Sequence, residues 1–73
     1  MQTHFEYIHF EPIQKRKKDC WLCKNTKHST ALGVVEWYES WRQWIFAPYL
    51  DTVFSTDCLA DIQTFLAQLE KPE

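Results

Sequence analysis

The chain has 73 residues, including four Trp, three Tyr and five Phe but only one Gly, and its formal net charge is -2. This length accommodates one small domain over residues 1–73 and excludes a large enzyme with a separate cofactor-binding domain. The aromatic content of 16% excludes an intrinsically disordered chain, because disordered segments are poor in aromatic residues.

Hydropathy, the N-terminal residues and the cysteine count indicate the compartment in which the protein is expected. No apolar run approaches the roughly 18 residues that a membrane span needs. Residues 1–6 lack both the basic and the apolar region of a signal peptide. The chain has three Cys, an odd number that does not suit a framework of disulfides. We therefore expect a cytoplasmic protein with free thiols, no cofactor and no membrane partner.

The first part of the chain predicts two strands. Alternating aromatic residues predict a strand over residues 3–10. Pro12 and the basic run at 15–18 then break the alternation, so residues 12–19 are expected to form a loop. The apolar run at 20–23 predicts a second strand, and the polar residues that follow predict a turn.

Residues 31–38 and 41–47 predict a hairpin with Glu39 and Ser40 as a two-residue loop. This pairing opposes Tyr38 to Trp41 and places Gly33 opposite Phe46, where the missing side chain leaves room for the ring. The register sorts the side chains into two faces. One face holds Val35, Trp37, Trp44 and Phe46, and the other holds Val34, Glu36, Tyr38, Trp41, Gln43 and Ile45.

The last element is a helix predicted from Thr56 to Glu70. Ser55 is a good N-cap, and Asp57 lies in the first turn, where the helix dipole favours a carboxylate. Phe54 and Leu59 occupy the positions of a hydrophobic staple, and Pro72 ends the helix. One apolar stripe has helical spacing: Cys58, Leu59, Ile62, Phe65, Leu66 and Leu69.

The order ββββα predicts an α+β fold, a four-stranded antiparallel meander with the C-terminal helix packed on one face. One helix covers only one face of such a sheet. We assign the face with Val35 and Phe46 to the core, so that the face with Tyr38 and Trp41 is exposed.

Three other kinds of site have weaker signals in the sequence than a protein-binding surface has. Cys20, Cys23 and His28 contain a CxxC spacing that occurs in zinc sites, but on a regular strand the two thiols point to opposite faces. Catalysis is not expected, because no His lies in a recognisable nucleophile motif and no Gly-rich loop is present. A nucleic-acid site is an alternative, since a basic run lies beside sheet aromatics. That run consists of Lys15, Arg16, Lys17 and Lys18.

The remaining interpretation is a protein-binding surface on the exposed hairpin face. Exposed Trp and Tyr with Arg nearby have the composition of interaction hot spots. A small chain has little else with which to cover such a face, so we expect a protein partner or a second copy. The expected contact residues are Glu36, Tyr38, Trp41, Arg42 and Gln43.

Residues 31–66 also resemble a group of short uncharacterised proteins from bacteria and their phages. The shared pattern is LGxIxWYxxWRxYxFxP followed by FSxxCLxDIxxF, with Trp44 here in place of the usual Tyr. The resemblance implies a phage-type accessory protein, which would act in the host cytoplasm on a host or phage protein. Small acidic phage proteins often inhibit host defence, as anti-CRISPR or anti-restriction proteins do, and the resemblance makes this an expectation by analogy.

Overall fold

The computed structural model describes residues 1–15 and 18–70. Four antiparallel strands form one sheet in the order β1-β2-β3-β4, and a helix follows. This confirms the predicted α+β fold. The elements are β1 (Ile8–Lys15), β2 (Lys18–Asn25), β3 (Ala31–Tyr38), β4 (Gln43–Pro48) and α1 (Thr56–Glu70).

Helix α1 begins where its capping residue predicts. The Oγ of Ser55 accepts a hydrogen bond from the Cys58 amide at 3.2 Å, which satisfies one of the free amides of the first turn. Ile62 and Phe65 are buried, as expected for the apolar stripe. Leu59 is 54% exposed, so its predicted place in the buried stripe is wrong. No helix in the described residues is long and apolar enough to cross a membrane.

The core lies between α1 and one face of the sheet. Phe65 stacks on Phe10 with ring centroids 3.9 Å apart, and Trp21 meets Phe65 edge-on at 5.2 Å. Val35 and Cys23 are fully buried in the same cluster. Since successive side chains of a strand alternate between faces, these residues fix which positions of each strand point toward the helix.

The first strand was predicted too early in the chain. The Phe5 amide donates to the Ile8 carbonyl at 2.9 Å, so the chain turns at residues 6 and 7 and β1 begins after the turn. Thr3 and His4 then run back along β1, with the Phe10 amide donating to the Thr3 carbonyl at 2.9 Å. The aromatic alternation is interrupted by this turn, which contains neither Gly nor Pro.

The predicted loop over residues 12–19 is wrong at residues 12–15 and 18–19, which pair as parts of β1 and β2, whereas residues 16 and 17 lie outside the described residues. Pro12 lies inside β1 opposite Trp21. The Phe10 amide points away from β2, and position 12 points the same way because amide directions alternate along a strand. An amide at position 12 would face the sheet edge, so proline removes no bond of the β1–β2 ladder.

The hairpin of β3 and β4 has a four-residue loop instead of the predicted two. Tyr38 pairs with Gln43, Trp37 with Trp44 and Gly33 with Pro48, a shift of two positions. A shift of two leaves the paired side chains on their predicted faces, because the side-chain period is also two. Trp41 and Arg42, however, lie in the loop and not at the start of β4 as predicted. The sequence lacks the Asn-Gly type of signal that the shorter loop needs.

Candidate functional site

One face of the sheet points away from α1, and we call it the open face. Among the described residues, α1 is the only helix, and it packs on the other side. Strand alternation assigns side chains from all four strands to the open face. They are His9, Glu11, Ile13, Lys18, Cys20, Leu22, Lys24, Val34, Glu36, Tyr38, Gln43, Ile45 and Ala47.

The centre of the open face is apolar. Leu22 pairs with Glu11 on one side and Val34 on the other, and Val34 pairs with Ala47, so one row crosses all four strands. Val34 is buried although no described helix covers it, because it lies between the side chains of neighbouring strands.

Tyr38 and Trp41 form what we call the aromatic corner, at the hairpin end of the open face. Their rings meet edge-on with centroids 5.0 Å apart. Tyr38 is 41% exposed and Trp41 is 67% exposed. Two large rings therefore support each other while both offer surface to a partner. Tyr38 is exposed on its predicted face, whereas Trp41 is exposed in the loop.

The loop that carries Trp41 is held by specific contacts. The Arg42 amide donates to the Glu39 carbonyl at 3.2 Å, and Arg42 adopts a left-handed φ of 55°. The indole nitrogen of Trp37 donates to a Glu39 carboxylate oxygen at 2.7 Å. These contacts fix the loop from the helix side of the sheet, so the aromatic corner is presented by an ordered turn.

The other predicted contact residues lie around the aromatic corner. Gln43 pairs with Tyr38 and is exposed, and Arg42 is exposed in the loop. Glu36 is half-buried opposite Ile45, two positions before Tyr38 on the same face. The structure therefore brings all five predicted residues to one end of the hairpin.

A polar cluster at the other end of the open face was not predicted. A Glu11 carboxylate oxygen lies 3.0 Å from His9 Nε2, and the second lies 3.2 Å from Lys24 Nζ. Hydrogen bonds from His9 and Lys24 hold the pKa of Glu11 below its usual range. His4 stacks on His9 with centroids 5.1 Å apart. The spacing of His9 and Glu11 puts both on one strand face, but Lys24 joins them only through the β1–β2 register.

The proposed zinc ligands do not come together. Cys20 lies on the open face and Cys23 lies in the core beneath α1, while His28 is exposed in the turn after β2. Within residues 1–15 and 18–70, no group of three or more His, Cys, Asp or Glu side chains could hold a metal ion. The regular strand separates the two thiols, so the zinc alternative has no geometric support here.

Cys23 instead has the properties of a core thiol. Burial, with a smaller contribution from Cys58, raises the pKa of Cys23 to about 12 from an ordinary 9.0. Below pH 9 the thiol holds its proton in both states, whereas above pH 9 the unfolded chain releases it first. We expect the free energy of unfolding to fall by up to about 1.4 kcal/mol per pH unit between pH 9 and 12 from this group. Urea denaturation at pH 8 and pH 10 measures the change.

Two variants test this assignment. Cys23→Ala should reduce the loss of stability between pH 8 and pH 10. Cys20→Ala is the matched control, because it removes a buried thiol from the open face and keeps Cys23. Equal pH dependence in wild type and Cys23→Ala would contradict the assignment.

The basic run is only partly described. Lys15 and Lys18 pair at the ends of β1 and β2, and Lys18 is exposed, whereas Arg16 and Lys17 lie outside the described residues.

Comparisons with protein-family models, curated proteins and solved structures find no match to the chain.

Proposed function

We propose that this protein is a small non-catalytic binding protein that docks its open face on a protein partner. The observation that carries the proposal is the exposure of Tyr38 and Trp41 on an ordered hairpin. Tyr and Trp dominate the binding energy of many interfaces, because each buries a large area at a low cost in side-chain entropy. Glu36, Arg42 and Gln43 would form the polar rim of the contact.

The surroundings of the aromatic corner support a protein partner over a nucleic acid. The open face carries Glu11 and Glu36 beside Lys18 and Lys24, so its described charges are mixed in sign and do not form a basic track. The whole chain has a net charge of -2, whereas nucleic-acid binding depends on neutralising phosphates. The exposed Lys18 keeps a nucleic acid as the alternative that the experiment must separate.

A narrower proposal rests on the sequence resemblance alone. It makes the protein a phage-type accessory protein in the host cytoplasm, whose partner is a host or phage protein. Inhibition of a defence system such as CRISPR or restriction would need only tight binding and no catalytic group. The exposed aromatic corner is consistent with this role.

The double variant Tyr38→Ala with Trp41→Ala tests the proposal. Each substitution is expected to cost about 2 kcal/mol of binding energy, roughly a 30-fold rise in Kd. Tagged wild type is used to capture partners from a host lysate, with and without nuclease treatment, and mass spectrometry identifies them. Titration calorimetry with the purified partner then compares wild type and variant.

Tyr49→Ala is the matched control, because Tyr49 is also exposed, at 44%, but follows the opposite end of β4. It should bind the partner like wild type, and circular dichroism should show that all variants are folded. Unchanged affinity in the double variant would contradict the proposal. Capture that disappears after nuclease treatment, with a gel shift on single-stranded DNA at low salt, would favour the nucleic-acid alternative.

A further inference from the structure

The two edge strands of the sheet, β1 and β4, differ in how far other segments cover their outer backbone groups. The outer edge of β1 is covered by Thr3 and His4 and interrupted by Pro12. The outer edge of β4 has no such cover: among the described residues, no backbone hydrogen bond reaches it from another segment. Strand β4 reads Gln-Trp-Ile-Phe-Ala-Pro and contains no charged residue to protect its edge, and its proline, Pro48, lies only at its end.

The direction of the free groups on β4 follows from one hydrogen bond. The Tyr49 amide donates to the Leu32 carbonyl at 2.9 Å, so position 49 points toward β3. Because directions alternate, the backbone groups of Trp44 and Phe46 point outward. Two amides and two carbonyls on β4 are therefore available to another strand.

We propose that β4 pairs with β4 of a second copy in antiparallel orientation and joins two sheets into one of eight strands. In the register that uses the outward groups, Trp44 exchanges both backbone hydrogen bonds with Phe46 of the second copy. The two Ile45 residues then face each other on the two-fold axis, and Gln43 faces Ala47 of the second copy.

The strand itself favours a second copy as its partner. In this register every side chain meets an apolar or neutral one, so no charge is buried and no like charges are opposed. Trp44 and Phe46 of the two copies form cross-strand aromatic pairs on the helix side. On the open face, the close non-hydrogen-bonded pair of Ile45 residues extends the apolar centre of one copy into the other.

The exposed flank of α1 is consistent with this arrangement. Gln68 hydrogen bonds to the backbone of Gln2, so one flank of the helix faces the N-terminal segment beside β1. At 100° per residue, Leu59 and Leu66 lie on the opposite flank, toward β4. Leu59 is exposed and Leu66 half-buried, and a second copy across the β4 edge would bring an equivalent apolar flank toward them.

The dimer also changes what the open face can do. Antiparallel strands related by a two-fold axis keep both open faces on the same side of the joined sheet. The two aromatic corners would then lie at separate ends of one surface, which suits a partner that is itself two-fold symmetric.

A charge-swap experiment tests the register. Wild type is expected to sediment as a dimer in equilibrium ultracentrifugation across a concentration series. Ile45→Lys opposes two like charges across the axis and should raise the dimer Kd by at least about 100-fold. Within the chain the new Lys faces Glu36, so the fold is expected to survive. A second variant, Ile45→Glu with Glu36→Lys, keeps that internal pair and should also be monomeric.

Mixing the two charged variants should restore a one-to-one dimer, because residue 45 then meets its opposite charge. Leu50→Lys is the matched control, because Leu50 is 90% exposed just beyond β4, and this variant should remain dimeric. The Tyr38→Ala with Trp41→Ala variant should remain dimeric as well. A monomeric wild type, dimers that persist in both charged variants, or a mixture that fails to pair would each overturn the proposal.

Discussion

Replacing Phe65 with alanine is expected to lower the free energy of unfolding by about 3–5 kcal/mol. Phe65 is fully buried, stacks on Phe10 at 3.9 Å and meets Trp21 edge-on at 5.2 Å. It therefore joins α1 to β1 and β2 through one ring. A chain of this length is expected to have only about 4–11 kcal/mol of total stability. The loss is therefore expected to be a large fraction of the total stability.

Urea denaturation followed by tryptophan fluorescence measures this effect, since Trp21 lies against the ring that is removed. Thr64→Ala is the matched control, because it introduces the same residue at an exposed position of the same helix. It should change stability by less than about 0.5 kcal/mol. A loss below about 1 kcal/mol in Phe65→Ala would mean that α1 does not depend on this contact.

Elements whose signals are local could be predicted from the sequence. Helix α1 was predicted at its observed bounds, Thr56–Glu70, because a capping serine and an apolar stripe at helical spacing coincide. Strand β3 was also predicted at its observed bounds, Ala31–Tyr38. The exposure of Tyr38 followed from the face assignment, which depends on side-chain parity and not on loop length, whereas Trp41 is exposed in the loop.

Features that depend on tertiary pairing could not be predicted in this way. Pro12 indicated a loop, but an edge strand accepts proline when its missing amide points outward. The turn at residues 6 and 7 contains no Gly or Pro, so the alternation around it resembled one continuous strand. Leu59 matched the helical stripe, yet it lies on the flank of α1 and not over the sheet.

The polar cluster illustrates the same limit within the open face. His9 and Glu11 share a face by their spacing, but Lys24 reaches Glu11 only because β1 and β2 pair in the observed register. Register depends on where the connecting turn lies, and the sequence-based prediction placed a loop there. The zinc alternative failed for a related reason, since a continuous strand β2 separates Cys20 from Cys23.

Gly33→Ala is expected to lower the free energy of unfolding by about 1–3 kcal/mol, the usual cost of overpacking a filled site. A methyl group there would lie 2.6 Å from the Ala47 carbonyl oxygen and 2.7 Å from Cζ of Phe46. The position is buried and its φ is not in the left-handed region, so the cost arises from contact and not from backbone conformation. At an open strand position the same change stabilises, because alanine restricts the unfolded chain more than glycine does.

The sign of the change in the free energy of unfolding therefore distinguishes a filled site from an open one, and urea denaturation measures it. The same substitution in a Phe46→Leu background should cost less, because the smaller side chain removes one of the two contacts while the Ala47 carbonyl remains. The difference between the two costs measures the coupling between Gly33 and the Phe46 ring. A stabilised Gly33→Ala variant would show that Phe46 does not lie over Gly33. It would also contradict the packing of Phe46 that holds β4 against β3 and α1.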